Sequence, residues 1–123
     1  MSGKKVMIFE DQLVAAMALE VMLNMNGYES LGSYDSADKV VDLYNESQPD
    51  VILMDIMLNG TSTGLEAAEQ LRDVSDVPIL FVSALNDGDT MNQIKSIKNA
   101  DLYVKPYRED IVKQGIPALL NQV

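Results

Sequence analysis

Two rhythms of apolar and polar positions run through this chain. Short unbroken apolar runs, Val6-Met7-Ile8-Phe9, Val51-Ile52-Leu53-Met54 and Ile79-Leu80-Phe81-Val82, alternate with longer stretches in which apolar residues recur every three or four positions. The first rhythm belongs to strands, and runs without polar residues belong to strands covered on both faces. Strands are predicted over 5–9, 28–32, 51–54, 79–82 and 102–104. The alternation of such strands with helical stretches predicts a doubly wound α/β domain, a parallel sheet with helices on both faces.

The helices between them carry their own signals. The first is predicted over 12–26, with Val14, Met17, Val21 and Met25 as its apolar stripe and Gly27 as its stop. A second follows Ser36, carries Val40, Val41 and Tyr44, and ends before Pro49. The third opens on Thr63-Gly64-Leu65-Glu66, a capping-box spacing, with Leu65, Ala68 and Leu71 or Arg72 on its inner side. A fourth, between Asp89 and Asn99, has a narrow stripe of Met91, Ile94 and Ile97. The fifth is predicted over 108–121 with a kink or break at Gly115 and Pro117, since an interior proline removes one hydrogen bond and clashes with the preceding turn.

Composition narrows the chemistry. The 123 residues are the size of one domain, and residues 1–123 are read as one unit with one core. With no cysteine there are no disulfides, thiolate metal sites or thiol nucleophiles. With no histidine, a hydrolytic triad and a zinc centre are disfavoured, and the chain cannot be a phosphohistidine donor. A net charge of −10 argues against direct nucleic-acid binding. Residues 95–113 hold five basic against three acidic side chains, a balance of +2 that leaves −12 elsewhere and marks a candidate partner surface. No apolar stretch reaches membrane-spanning length, and the one after Lys5 is too short for a secretory signal, so a cytoplasmic protein without membrane contact is expected.

Polar groups follow the predicted strands at one end. Glu10-Asp11 follows the first strand, Asp55 the third, Ser83-Ala84 the fourth and Lys105-Pro106 the fifth. In a parallel sheet these converge on the edge where open α/β folds bind ligands. Carboxylates about 4 Å apart repel by roughly 4 kcal/mol at an effective dielectric of 20, so a cation is expected among them. Three of these groups have a plainer reading, Glu10-Asp11 as a helix N-terminal charge pair, Ser83 as a turn residue and Lys105 as a solvated edge charge, whereas Asp55, directly after an all-apolar strand, has no such capping role. The eight methionines are read as core filler.

Together these groups resemble the receiver domains of two-component response regulators over essentially the whole chain, from Lys5 to about Leu120. The run Asp55-Ile56-Met57-Leu58-Asn59-Gly60 followed by Gly64-Leu65-Glu66-Ala67-Ala68 is especially similar to one receiver subgroup. The resemblance implies a flavodoxin-like sheet of strand order 2-1-3-4-5. It also implies Asp55 as phosphoacceptor, and a Mg²⁺ ion held by Asp11, Asp55 and the Met57 carbonyl, with Glu10 reaching it directly or through water. Lys105 and Ser83, with the Ala84 N–H, would contact the phosphoryl group, and Pro106 would be cis-bonded. The implied partners are a histidine kinase or histidine phosphotransfer protein and a downstream protein target, with the face of helix four, strand five and helix five for signalling or homodimerisation.

Two departures stand out. Receivers place an aromatic three residues before the lysine, where this chain has Leu102; its aromatic is Tyr103, which strand alternation sends to the opposite face. Switching is then expected to run through Leu102, Met91 or the loop after Ser83. The positions that influence water access to the acyl phosphate are Met57 and Leu85, both apolar, which predicts slow self-dephosphorylation.

Three rivals remain. A flavodoxin-like flavin protein would need a hydroxyl-rich phosphate loop where Glu10-Asp11-Gln12 stands. A haloacid-dehalogenase-type aspartyl phosphatase would need an Asp-x-Asp, whereas residue 13 is Leu. A pseudo-receiver would act as an adaptor, binding partners without phosphorylation. The chain is expected to be a complete regulator, or else a receiver from a longer protein, and not an enzyme beyond its own phosphorylation and dephosphorylation.

Overall fold

A computed structural model describes residues 3–84 and 87–121. Leu85, one of the two residues expected to tune water access, lies outside them. Strands β1 (Lys5–Phe9), β2 (Glu29–Tyr34), β3 (Val51–Asp55), β4 (Ile79–Ser83) and β5 (Ala100–Val104) form one parallel sheet of order β2-β1-β3-β4-β5. Between them lie helices α1 (Leu13–Met25), α2 (Val40–Ser47), α3 (Gly64–Arg72) and α4 (Gly88–Lys95). A π-helical turn, Ile111–Gly115, leads into α5 (Ile116–Leu120).

The apolar runs make the three central strands for the expected reason: β3 and β4 are buried at every position. One face of the sheet, with Met7, Phe9, Ile52, Met54, Ile79 and Phe81, packs against Ala67, Ala68, Leu71 and Ile94 from α3 and α4. The other, with Val6, Ile8, Leu53, Leu80 and Val82, packs against Leu19 and Leu23 of α1 and Ile111, Ile116 and Leu119 at the C-terminal end.

Strand β2 is the half-exposed edge and starts one residue later and ends two later than predicted. Two steps along β1, Val6 to Ile8, face three along β2, Ser30 to Ser33, so β2 bulges. Gly32, at φ +105, occupies the bulge in a conformation that a side chain resists. Strand β5 begins two residues earlier than its apolar run, because Ala100 and Asp101 take ladder positions beside Ile79 and Leu80.

The predicted inner stripe of α1 is corrected. Val14, Met17, Val21 and Met25 are 81%, 56%, 56% and 77% exposed, while Ala16, Leu19 and Leu23 are buried. The helix is apolar almost all round, so its period could not select a face; the sheet covers the side of Ala16, Leu19 and Leu23. The methionines are corrected likewise: Met7 and Met54 are core, but Met17, Met25 and Met57 face solvent.

The third helix has its capping box, the Thr63 hydroxyl accepting from the Glu66 N–H and the Glu66 carboxylate from the Thr63 N–H. Helix α4 starts one residue before Asp89, with Asp87 as its cap. The expected break near Gly115 and Pro117 takes the form of the π-helical turn, in which the Ile116 N–H donates to the Ile111 carbonyl five residues back. The wider turn accommodates a proline that cannot donate to the carbonyl four residues behind it.

Candidate functional site

Ladder register brings the polar strand ends together. Phe9 pairs with Met54, Asp55 with Val82, and Ser83 with Val104, so Glu10, Asp55, Ser83 and Lys105 emerge from adjacent strands at one edge. Backbone hydrogen bonds carry the alignment past the strand ends: the Lys105 N–H donates to the Ser83 carbonyl (2.8 Å) and the Glu10 N–H to the Tyr34 carbonyl (2.9 Å). Asp11, Gln12, Asp55, Met57, Ser83, Ala84 and Lys105 line one concavity.

Lys105 is the centre of the arrangement. Its Nζ lies 2.8 Å from Asp55 Oδ2 and 3.0 Å from Glu10 Oε1. The Lys105–Pro106 peptide bond is cis. Both carboxylates are buried, which excludes the reading of Lys105 as a solvated edge charge. Glu10 and Asp11 lie just before α1 and not in its first turn; Gln12, at the N-cap position, makes no side-chain capping bond, and its N–H donates to Glu10 Oε2 (3.0 Å).

The two buried acids respond to this setting in opposite ways. Burial raises the pKa of Asp55, and the Glu10 charge adds to the rise, against the Lys105 ammonium and the Met57 N–H, which donates to Asp55 Oδ1. Glu10 is also pushed up by burial, but donation from the Gln12 N–H, Lys105 and Tyr107 outweighs it and holds the carboxyl below its usual range. Lys105, desolvated but flanked by two carboxylates, is raised.

Glu10, Asp11 and Asp55 each offer one carboxylate oxygen, all within 4.8 Å of one another. An all-oxygen set with three carboxylates against one ammonium suits a hard divalent ion. The donors therefore fit the Mg²⁺ that the receiver resemblance implies.

Two residues of this edge escaped the reading of the sequence. Tyr107 donates from its hydroxyl to Glu10 Oε1 (2.8 Å), and its ring lies 5.7 Å from Lys105 Nζ. Asp38, two residues before α2, accepts from the Thr61 and Ser62 N–H groups (3.1 and 2.9 Å), strapping down the loop that follows Asp55. An aromatic with a polar tip two residues beyond Lys105 was the only sequence signal for Tyr107; Asp38 gave none.

Leu102 and Tyr103 lie on opposite faces. Leu102 packs against the α3 and α4 side, while Tyr103 joins the α1 and α5 side. There its hydroxyl donates to the Asp110 carboxylate and accepts from the Arg108 N–H.

A doubly wound sheet of this strand order, with an acidic cluster and a lysine at its carboxyl edge, is the receiver architecture. The response regulator receiver domain model matches residues 6–116, and the chain belongs to that family, a signalling module of two-component systems whose members use phosphorylation and Mg²⁺. It is 32% identical over 121 residues to the probable transcriptional regulator ycf27 of Guillardia theta. That alignment takes in 97% of this chain and 46% of the relative, so the chain spans about half the length of the curated relative. Among solved structures, the signal receiver domain of a modulated diguanylate cyclase from Desulfovibrio desulfuricans G20 is similar at 30% identity and TM-score 0.85, over 97% of this chain and 94% of that one. The N-terminal domain of a response regulator/sensory box/GGDEF three-domain protein from Carboxydothermus hydrogenoformans is similar at 27% and 0.82, over 97% and 95%. No helix among the described residues is long and apolar enough to cross a membrane.

Proposed function

We propose that residues 1–123 act as one phosphoacceptor receiver domain, taking a phosphoryl group from a phosphohistidine donor onto Asp55. The observation that carries this reading is the Lys105 ammonium 2.8 Å from Asp55 Oδ2, beside the converging carboxylates of Glu10 and Asp11. An Asp55 oxygen attacks phosphorus, a P–O bond forms as the P–N bond breaks, and the donor imidazole leaves with the electron pair. Asp11, Asp55 and the Met57 carbonyl hold Mg²⁺, with Glu10 beside them; the ion's chemistry is neutralisation of charge on the transferring group. Lys105 then moves its charge to a phosphoryl oxygen, and Ser83 and the Ala84 N–H donate to the others.

A histidine kinase or histidine phosphotransfer protein is the donor. The exposed stripe of Leu13, Val14, Met17, Val21 and Met25 begins two residues beyond Asp11, and exposed Met57 lines the same concavity as Asp55. A donor seated on this apolar surface places its phosphohistidine over Asp55. Contacts made only by the phosphorylated state bias the loop after Ser83 and α4, with Leu102 in place of the aromatic, and the face of α4, β5 and α5 passes the change to a target protein or a second copy.

Incubation with acetyl phosphate and Mg²⁺ followed by intact mass tests the reading. A gain of one phosphate that Asp55→Ala abolishes is expected. Unchanged mass in the wild type overturns phosphotransfer and leaves the adaptor reading.

A further inference from the structure

The Glu10 carboxylate is fully buried and already committed on most sides. Its Oε1 accepts from the Tyr107 hydroxyl (2.8 Å) and the Lys105 ammonium (3.0 Å), and its Oε2 accepts from the Gln12 N–H (3.0 Å). A carboxylate offers about four lone-pair sites, so these donors take three and leave one, on Oε2. Of the three donors, only the Tyr107 hydroxyl comes from a side chain with no other duty at the site. Resting on the receiver reading above, we infer that Tyr107 is a positioning residue for the cation site, fixing Glu10 so that Oε1 faces Lys105 and the remaining lone pair of Oε2 faces the ion.

The physical argument has two parts. Hydrogen bonds from outside a metal's ligand set fix the orientation of the groups around it, and losing one typically weakens metal binding by about 10–100-fold. Tyr107 also shares Oε1 with Lys105, which limits how far that ammonium can draw the carboxylate away from the ion. Tyr107 is 97 positions from Glu10, and its ring already closes the space beside Lys105. Removing only the hydroxyl therefore leaves the packing intact.

The test is Mg²⁺ binding to the unphosphorylated protein by titration calorimetry, with urea midpoints to confirm that each variant is folded. Tyr107→Phe is expected to bind Mg²⁺ at least tenfold more weakly than wild type, and Tyr107→Phe on a Glu10→Ala background no more weakly than Glu10→Ala alone. Wild-type affinity in Tyr107→Phe, or an equal loss on both backgrounds, overturns the assignment, and phosphorylation of the wild type by acetyl phosphate in the same preparation shows that the receiver reading itself still stands. A wild type that neither binds Mg²⁺ nor takes up phosphate overturns both.

Discussion

Glu10 and Asp55 share one lysine, 3.0 Å from the first and 2.8 Å from the second, yet the folded state treats the two carboxyls oppositely. Burial dominates at Asp55 and raises its pKa above 3.8; at Glu10 three donors overcome burial and lower it below 4.5. Ionised Asp55 therefore weighs against folding, a penalty relieved as pH falls through its folded value toward 3.8. Ionised Glu10 supports folding above about pH 4.5 and loses that support as pH falls through its own, lower value. At neutral pH without metal, Asp55→Asn is expected to raise the urea midpoint. Glu10→Gln should lower stability by about 1.5–3 kcal/mol, the usual loss with a charged hydrogen bond.

The two sides of α1 should separate stability from recognition. Leu19→Ala or Leu23→Ala opens a cavity under the sheet and should cost about 2–5 kcal/mol in urea unfolding. Met17→Glu with Val21→Glu changes exposed positions and should move stability by about 0.5 kcal/mol or less. The same pair should slow phosphotransfer from a protein donor while leaving the rate with acetyl phosphate unchanged.

Gly64 begins α3 against the backbone of Asp55: a Cβ there would stand 2.2 Å from the Asp55 carbonyl oxygen. Gly64→Ala must displace either the helix or Asp55. Overpacking of this kind costs about 1–3 kcal/mol, and a shift of about 1 Å at a reacting group can cost about 100-fold in rate. Initial rates of acetyl-phosphate labelling should fall accordingly, with the Thr63 cap still in place.

Met57 is 67% exposed beside the site, and its backbone N–H donates to Asp55 Oδ1. An apolar side chain cannot orient a water for attack on the acyl phosphate. The wild-type phosphoprotein should persist well beyond seconds, and Met57→Glu should shorten its lifetime by up to about 100-fold, the lower end of what a positioned base contributes. Loss of phosphate followed by intact mass measures both.

Much of this protein was legible in its residues. Unbroken apolar runs marked β1, β3 and β4 because strands covered on both faces tolerate little else, and the Thr63-to-Glu66 box fixed the start of α3 through bonds three residues apart. The polar groups that end the strands could be placed on one edge, since parallel strands all present the same end to it.

What remained depended on contacts between distant parts of the chain. Helix α1 is apolar on nearly every side, so only the sheet could decide that Leu19 is covered and Met17 is not. Local pattern has no access to a bond between positions 10 and 107, nor to the strap from Asp38 to Thr61, because neither pair is related by helix or strand periodicity. The order of strand ends along the chain determined which groups meet; the packing of helices and loops around that edge decided how each is held, and therefore its charge.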